Sequence, residues 1–407
     1  MGEWGAIVFF GVAWFSLFWL SPVNTQLSAF TATVSSCNHG ANTRLFCLIM
    51  QASLFDNNKK DNEEKMTTLI SLFNHKGGVS KTTTTFNLGW ALANAGKKVL
   101  IVDGDPQCNL TGTVLGFNGQ SDFQKFYDNN LDSNLNSCLD PAFQGMQKPL
   151  QPAKIIKTPK DGLFLLAGHI DLAENEAQLA VSLSTGAAMP ALQNLPGAVT
   201  HLLQLTAKEN DIDIVLIDMS PSVGALNQCF LMGSNYFIVP IFPDYYCDQA
   251  ILSLSRIIPK WNNLVNPFRN SNLPYHFPST APKFLGIISQ RFRPRSGSPA
   301  ASFQRWIDQI KLTVDKHLVP SLAAISMTIS KNEFNAANPG DSPYNLANIP
   351  DFNSLIAQSQ KHNTPVFALS DSQIEQQGVV LETMKANRQN FKETFIQLAK
   401  TVIALTG

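Results

Sequence analysis

Short apolar runs alternate with segments of looser apolar spacing from about residue 66 onward. The runs are rich in β-branched and aromatic side chains, which favours buried strands. They are residues 69–73, 98–102, 163–168, 212–218, 235–241 and 284–289. The intervening segments carry helical spacing, as at Phe86, Leu88 and Leu92. This alternation predicts an α/β fold, with a doubly wound, mostly parallel sheet and helices on both faces.

Two segments, residues 115–160 and 331–353, interrupt this pattern. Both are rich in Asn, Asp, Pro, Gly and Ser and lack sustained periodicity. Such composition is typical of irregular structure, so we expect insertions or long loops there.

Residues 1–65 differ from everything that follows. Ala6 to Leu20 is an apolar run that falls short of the about 20 residues needed to span a bilayer. No Lys or Arg precedes Arg44, so the positive start of a signal peptide is missing. We therefore predict a folded domain over residues 66–407, with Met66 as the physiological start. A genuine membrane anchor in residues 1–65 is the alternative.

Composition limits the possible partners and the possible cysteine chemistry. Thirty basic and thirty acidic residues give no net charge, so a nucleic-acid surface would have to be local. The six cysteines show no Cys-x-x-Cys spacing, which argues against a zinc ribbon, a redox pair or an iron–sulfur site. A reducing cytoplasm fits this cysteine usage best.

A glycine-rich turn at residues 74–80 joins the first predicted strand to the first predicted helix. Such a turn exposes backbone N–H groups beside the positive end of a helix, which favours a bound polyphosphate. Lys81 would neutralise the phosphates and the Thr82 hydroxyl would hold Mg²⁺. The glycine positions of the standard P-loop hold His75 and Ser80, so that motif fails. The run instead fits Lys-Gly-Gly-x-x-Lys-Thr, with an additional lysine at the front.

Carboxylates follow two more of the predicted strands. Asp103 and Asp105 end the second strand, and Asp218 ends the fourth. Carboxylates at this edge of a parallel sheet, next to a P-loop, can organise Mg²⁺ and an attacking water. Residues 219–227 would then form a switch that senses the terminal phosphate.

These motifs resemble those of the ParA/MinD family of ATPases, and the resemblance covers about residues 66–407. It implies that Lys76 reaches the phosphates of a partner subunit, while Asp105 orients the attacking water. It also implies that Asp218 binds Mg²⁺ through water. The implied nucleotide-binding residues are Lys76, Gly77, Gly78, Val79, Ser80, Lys81, Thr82 and Thr83. Ser80 and Ser220 depart from the glycine and the proline that the family usually has there.

The resemblance implies a Mg²⁺-dependent ATPase that forms a homodimer with ATP and acts in plasmid or chromosome partition. Such a protein would be cytoplasmic and nucleoid-associated, would bind DNA nonspecifically and would be stimulated by a ParB-like partner. Our candidate DNA contacts are Arg291, Arg293 and Arg295, with Arg305 and Lys311 on the next helix-like stretch. A solvated basic loop is the alternative for this segment.

Other functions remain open from the sequence. A MinD-like or cargo-positioning ATPase would act at a membrane or protein surface, and the amphipathic segment 391–405 is a candidate membrane helix. A related tyrosine kinase would need a tyrosine-rich tail, yet no tyrosine follows Tyr344. A protein that binds no nucleotide is the last alternative.

Overall fold

The computed structural model describes residues 67–117, 119–145, 148–295, 298–340 and 342–407. The predicted N-terminal extension, residues 1–65, lies outside them. Residues 66–407 form one compact unit.

An eight-stranded sheet runs through this unit. Its strands are β1 (Thr68–Leu72), β2 (Val99–Gly104), β3 (Ile156–Lys157), β4 (Leu163–Leu166), β5 (Ile214–Met219), β6 (Tyr236–Ile241), β7 (Lys283–Phe292) and β10 (Asn345–Pro350). They lie in the order β10-β7-β6-β1-β5-β2-β4-β3, and all neighbouring strands are parallel except the pair β3 and β4. A separate two-stranded ribbon pairs β8 (Pro294–Arg295) with β9 (Ser298–Pro299).

Helices cover both faces of the sheet. They are α1 (Lys81–Asn94), α2 (Asn109–Leu115), α3 (Gln120–Asn129), α4 (Leu135–Phe143), α5 (Leu172–Thr185), α6 (Leu195–Glu209), α7 (Ala225–Gly233), α8 (Tyr245–Val265), α9 (Ala301–Thr313), α10 (Val319–Ala323), α11 (Lys331–Ala337), α12 (Leu355–His362), α13 (Asp371–Ile374) and α14 (Gly378–Thr406). The helices α1 and α14 pack together, whereas α5 to α9 form a second group with its own contacts. This arrangement confirms the predicted α/β fold.

The burial of the central strands explains why their apolar runs in the sequence are nearly continuous. Every residue of β2 and β5 is buried, as expected for parallel strands covered on both faces. A Cβ atom at Gly89 of α1 would lie 2.8 Å from the Ile101 side chain, so this glycine lets α1 sit directly on β2. The helix that follows β1 is therefore held firmly at the centre of the sheet.

The two segments expected as insertions or long loops contain regular structure, so the expectation of long loops was wrong. Residues 115–160 include α3, α4 and β3, and residues 331–353 include α11 and the edge strand β10. Ser330 and Glu333 form a capping box that begins α11. The Asn338 side chain donates to the Asn345 carbonyl at 2.9 Å, so asparagines that resemble loop residues here support the strand.

The amphipathic C-terminal segment forms part of α14, and its apolar face lies in the core. Phe395, Leu398 and Val402 are fully buried. None of the helices in the described part of the chain is both long enough and apolar enough to cross a membrane.

Candidate functional site

The loop between β1 and α1 is fixed by the side chain of Asn74. Its oxygen accepts the Lys76 N–H at 2.9 Å, and its amide donates to the Pro240 carbonyl of β6, also at 2.9 Å. The chain turns through the left-handed region at Gly78, with φ of 74°, and again at Ser80, with φ of 59°. The loop thus lies at the carboxyl end of β1, where the neighbouring crossovers diverge and parallel sheets bind ligands.

Lys81 is folded back into this loop. Its side chain is buried, and Nζ donates to the carbonyls of Asn74 at 3.0 Å and Lys76 at 3.4 Å. Burial lowers the pKa of Lys81, while the negative charges of Asp218 and Asp105 act in the opposite direction. The loop therefore encloses a positive charge whose hydrogen bonds within the described ranges go only to carbonyl groups.

Asp218 lies next to this lysine, and its carboxylate is isolated. In the sheet it pairs with Leu72 of β1 and with Asp103 of β2. It is fully buried, and no hydrogen bond of normal geometry reaches either of its oxygens from the described residues. Burial, followed by the charge of Asp103, raises the pKa of Asp218 to about 8.

Asp103 and Asp105 have different roles despite their proximity. Asp103 Oδ2 accepts hydrogen bonds from the Thr111 N–H and hydroxyl, each at 2.7 Å, and burial raises its pKa to about 6. Asp103 therefore anchors α2. Asp105 Oδ1 accepts the Gln107 N–H at 3.0 Å, which fixes the carboxylate close enough to act on the Lys81 charge.

The residues present fit a hydrated magnesium ion. A buried carboxylate without a hydrogen-bond partner is costly unless a cation or water completes it, and Asp218 is such a group. The half-buried Thr82 opens α1 beside it, and its hydroxyl opposes the rise in the pKa of Asp218. No group of three His, Cys, Asp or Glu side chains within the described ranges could hold a metal alone. Mg²⁺ keeps several waters and is usually bound by few protein groups together with phosphates.

The predicted switch segment lies against the loop. A Cβ atom on Gly77 would be 3.8 Å from the Pro221 side chain, so the two segments nearly touch. The Asn227 amide donates to the carbonyls of Ser220 and Ser222, both at 2.9 Å, and closes the turn. Val223 at the tip is 47% exposed, which leaves this segment free to meet another surface.

Glu176 of α5 is a residue of this region that the sequence did not reveal. Its carboxylate accepts the N–H groups of Ala225 and Leu226, at the start of α7, the second at 3.1 Å. A carboxylate at a helix N-terminus is stabilised by the unpaired N–H groups and the helix dipole. The helix that follows the switch is therefore anchored by a neighbouring helix.

Lys76 forms an ion pair within its own chain. Its Nζ lies 3.1 Å from Asp244 Oδ2 and 5.5 Å from the centre of the Phe242 ring. The sequence reasoning missed both partners. Their only local signal is their position immediately after the strand β6.

The three predicted DNA contacts do not lie in one environment. Arg291 donates to the Gly78 carbonyl at 3.3 Å, with its guanidinium 6.0 Å from the centre of the Phe242 ring, so it lies against the loop between β1 and α1. Arg293 is exposed, as is Arg305 on α9. The Arg295 side chain lies outside what the structure describes.

Residues 67–270 match the AAA domain family. The sporulation initiation inhibitor protein Soj of Bacillus subtilis is 32% identical over 199 residues, which make up 48% of this chain and 67% of that protein. The chromosome-partitioning ATPase Soj of Thermus thermophilus is 30% identical over 200 residues, which make up 49% of this chain and 64% of that protein.

A solved structure, that of an McdA variant from Cyanothece in complex with ATP, has the same fold. It covers 81% of this chain and 96% of its own, with a TM-score of 0.51 and 16% sequence identity. This likeness supports the fold assignment without addressing the activity.

Proposed function

Because the chain belongs to the ParA/MinD family of P-loop ATPases, we propose that it is a Mg²⁺-dependent ATPase whose bound ATP drives dimerisation. The observation that carries this proposal is the buried pair of Lys81 and Asp218. Among the described residues the lysine bonds only to the carbonyls of Asn74 and Lys76, and the carboxylate makes no hydrogen bond of normal geometry, so both are prepared for a ligand.

Each residue of the site has a role in this reaction. Lys81 and the N–H groups of residues 76–83 bind the phosphates, and Thr82 and Asp218 hold the ion, Asp218 through water. Magnesium–ATP would supply the phosphoryl group and neutralise part of its charge. Asp105 orients the attacking water, and Lys76 from the partner subunit stabilises the charge on the transferred group.

Dimerisation is tested with hydrolysis blocked. We expect an Asp105→Ala protein, saturated with ATP and magnesium, to sediment as a dimer. The matched Lys81→Ala protein loses phosphate binding and should remain a monomer. A monomeric Asp105→Ala protein that still binds ATP would refute the dimer mechanism.

Nonspecific DNA binding is the second part of the proposal, and exposed Arg293 is its best described candidate. Replacing Arg293 and Arg295 with Glu should abolish ATP-dependent binding to random duplex DNA and leave ATP binding intact. Arg291→Ala provides the contrast, because loss of its bond to the Gly78 carbonyl should weaken ATP binding first. Unchanged DNA binding in the double variant would rule out this surface.

We assign the cycle to plasmid or chromosome partition with a ParB-like activator, at the nucleoid in the cytoplasm. The similarity to chromosome-partitioning Soj supports this assignment. A protein encoded next to this chain that stimulates its ATPase activity only when DNA is present would establish it. Stimulation by a protein of another kind, without DNA, would favour cargo positioning instead.

A MinD-like action at the membrane is the alternative. The burial of the apolar face of α14 argues against the C-terminal membrane helix on which that alternative rested. We expect the chain from Met66, the proposed physiological start, to stay with the soluble fraction when mixed with anionic vesicles and ATP and separated by flotation.

The domain boundary is also a proposal. We assign the ATPase to residues 66–407, with Met66 as the physiological start, and intact-mass measurement of the native protein tests this. A mature chain that begins at Met1 and is extracted only by detergent would contradict it.

A further inference from the structure

Lys76 is engaged inside its own subunit. We propose that the ion pair between Lys76 and Asp244 is an autoinhibitory latch, which must open before the chain can dimerise. This inference rests on the proposed function, in which Lys76 acts on the nucleotide of a partner subunit.

The contact is more buried than an ordinary surface ion pair and includes an aromatic ring. The two side chains are 24% and 26% exposed, and the lysine charge lies 5.5 Å from the centre of the Phe242 ring. Partial burial reduces screening by salt, and the aromatic ring adds a cation–π attraction. The folded-back position of Lys76 is therefore a defined state rather than one of many rotamers.

Asp244 is itself held in place by the helix it begins. Its Oδ1 accepts the Cys247 N–H at 2.7 Å as the N-cap of α8, and its Oδ2 takes the Lys76 Nζ at 3.1 Å. The capping bond fixes the carboxylate where Lys76 meets it. Capping uses Oδ1 and the ion pair uses Oδ2, so a substitution can remove one of these interactions and keep the other.

The loop also offers a route by which ATP opens the latch. Lys81 donates to the Lys76 carbonyl at 3.4 Å, which ties the backbone of Lys76 to the folded-back state. A bound phosphate would attract the Lys81 ammonium group, and the bond to the Lys76 carbonyl, which is longer than the 3.0 Å bond to Asn74, would be the first to break. The backbone of Lys76 would then lose its bond to Lys81 when the same subunit binds ATP.

Three substitutions separate the charge of Asp244 from its capping role. Asp244→Asn and Asp244→Ser keep a capping side chain and lose the charge, whereas Asp244→Glu keeps the charge and is a poorer cap. The matched control is Asp315→Asn, which removes a carboxylate from an exposed ion pair with Lys331. A latch predicts that the Asn and Ser variants behave alike and that the Glu variant resembles the parent protein.

The first measurement needs neither ATP nor assembly. Full-length nucleotide-free protein is pulsed with an amine-acylating reagent, and the modification of Lys76 is followed by peptide mass spectrometry. We expect about threefold faster modification in the Asn and Ser variants, as loss of one partly exposed ion pair allows. An unchanged rate would overturn the latch itself, whatever the function of the protein.

The second measurement is the dimer dissociation constant by sedimentation with ATP and magnesium, with Asp105→Ala present in every variant. Because a symmetric dimer opens two latches, we expect the constant to fall about tenfold in the Asn and Ser variants. An equal or weaker dimer, combined with faster modification, would show that the ion pair exists and does not restrain assembly. Absence of any dimer in the parent protein would refute the proposed function, while the modification rates would still report on the ion pair.

Discussion

Ser80 holds a left-handed backbone conformation, with φ of 59° and ψ of 34°, immediately before Lys81. This conformation brings the Cβ atom of an L-residue close to its own carbonyl oxygen and costs about 1 kcal/mol, a cost that glycine avoids. The Ser80 side chain makes no capping hydrogen bond that would offset it. The sequence already indicated a departure here, and the structure shows that its physical form is backbone strain.

We expect Ser80→Gly to raise the free energy of unfolding by about 0.5–1 kcal/mol, because it relieves this strain and loses no side-chain bond. Urea denaturation of the nucleotide-free protein measures the change. Ser80→Ala is the control, since it keeps the Cβ atom and should give no gain. Equal effects of the two substitutions would show that strain at this position is not the cause.

The isolated carboxylate of Asp218 predicts a pH effect on stability in the absence of magnesium and nucleotide. Its pKa in the folded protein is about 8. Protonated Asp218 therefore adds to the free energy of unfolding. This contribution is fully present below the ordinary pKa of about 4 and is lost as the pH rises through 8. Because Asp103 titrates near 6, the window from about pH 6.5 to 8.5 mainly reports on Asp218.

We expect Asp218→Asn to lose less stability than the parent protein across this window and to be the more stable of the two at its upper end. Unfolding by urea in the presence of a chelator gives both values at each pH. Identical pH dependence in the two proteins would show that Asp218 titrates normally.

Local motifs indicated the candidate site residues that lie on one loop or at a strand end. Lys81 and Asp218 are of this kind, since glycine spacing and apolar runs mark their positions. Asp244 and Arg291 could not be found in this way, because each meets the loop from a strand end far along the chain. Their partners Lys76 and Gly78 are 168 and 213 residues away in sequence.

At the scale of elements, α5 controls the start of α7 through one carboxylate. Removing the charge of Glu176 leaves two N–H groups at the α7 terminus with a weaker acceptor. We expect Glu176→Gln to lower the free energy of unfolding by about 1–2 kcal/mol and to increase hydrogen exchange across residues 220–228. Hydrogen exchange followed by mass spectrometry locates the effect.

Glu174→Gln is the matched control, because this exposed glutamate lies on the same helix. Because it lies in the first turn of α5, its substitution should change the free energy of unfolding by less than about 1 kcal/mol, and it should leave exchange near the switch unchanged. If the two variants exchanged alike, the contact from α5 would not govern the switch helix.

Two of the elements that the sequence missed, β10 and α11, share one cause. In β10, Leu346 and Ile349 are separated by Ala347 and Asn348, so the large apolar side chains do not alternate, and α11 begins at a capping box with few apolar positions after it. Both elements are short and depend on tertiary contacts, such as the pairing of β10 with β7. Propensity and periodicity carry little information in such cases.

At the scale of the molecule, α14 closes the face on which α1 lies. Phe395 is fully buried and packs against Phe367, with ring centres 5.5 Å apart. We expect Phe395→Ala to cost about 3–5 kcal/mol through lost burial and the resulting cavity. The measurement is again urea denaturation, with exposed Lys392→Ala as the control. A cost below about 1 kcal/mol would mean that α14 is not part of the core.

The alternation of strands and helices was sufficient to predict a parallel sheet with two helical layers. The strand order, with β1 between β5 and β6, did not follow from any local pattern. The order depends on which strands each helical connection passes over, and packing across the whole chain decides this.

Lys81 and Asp218 are both buried, so without a ligand the protein contains two desolvated ionisable groups. A ligand that pairs with both groups binds the folded protein and not the unfolded chain. At a free concentration of about one hundred times its dissociation constant, it would raise the free energy of unfolding by about 2.7 kcal/mol. Melting temperature should therefore report nucleotide occupancy directly. In a cell short of ATP, the molecules without ligand would be the first exposed to proteases, so the amount of this protein would follow the energy supply.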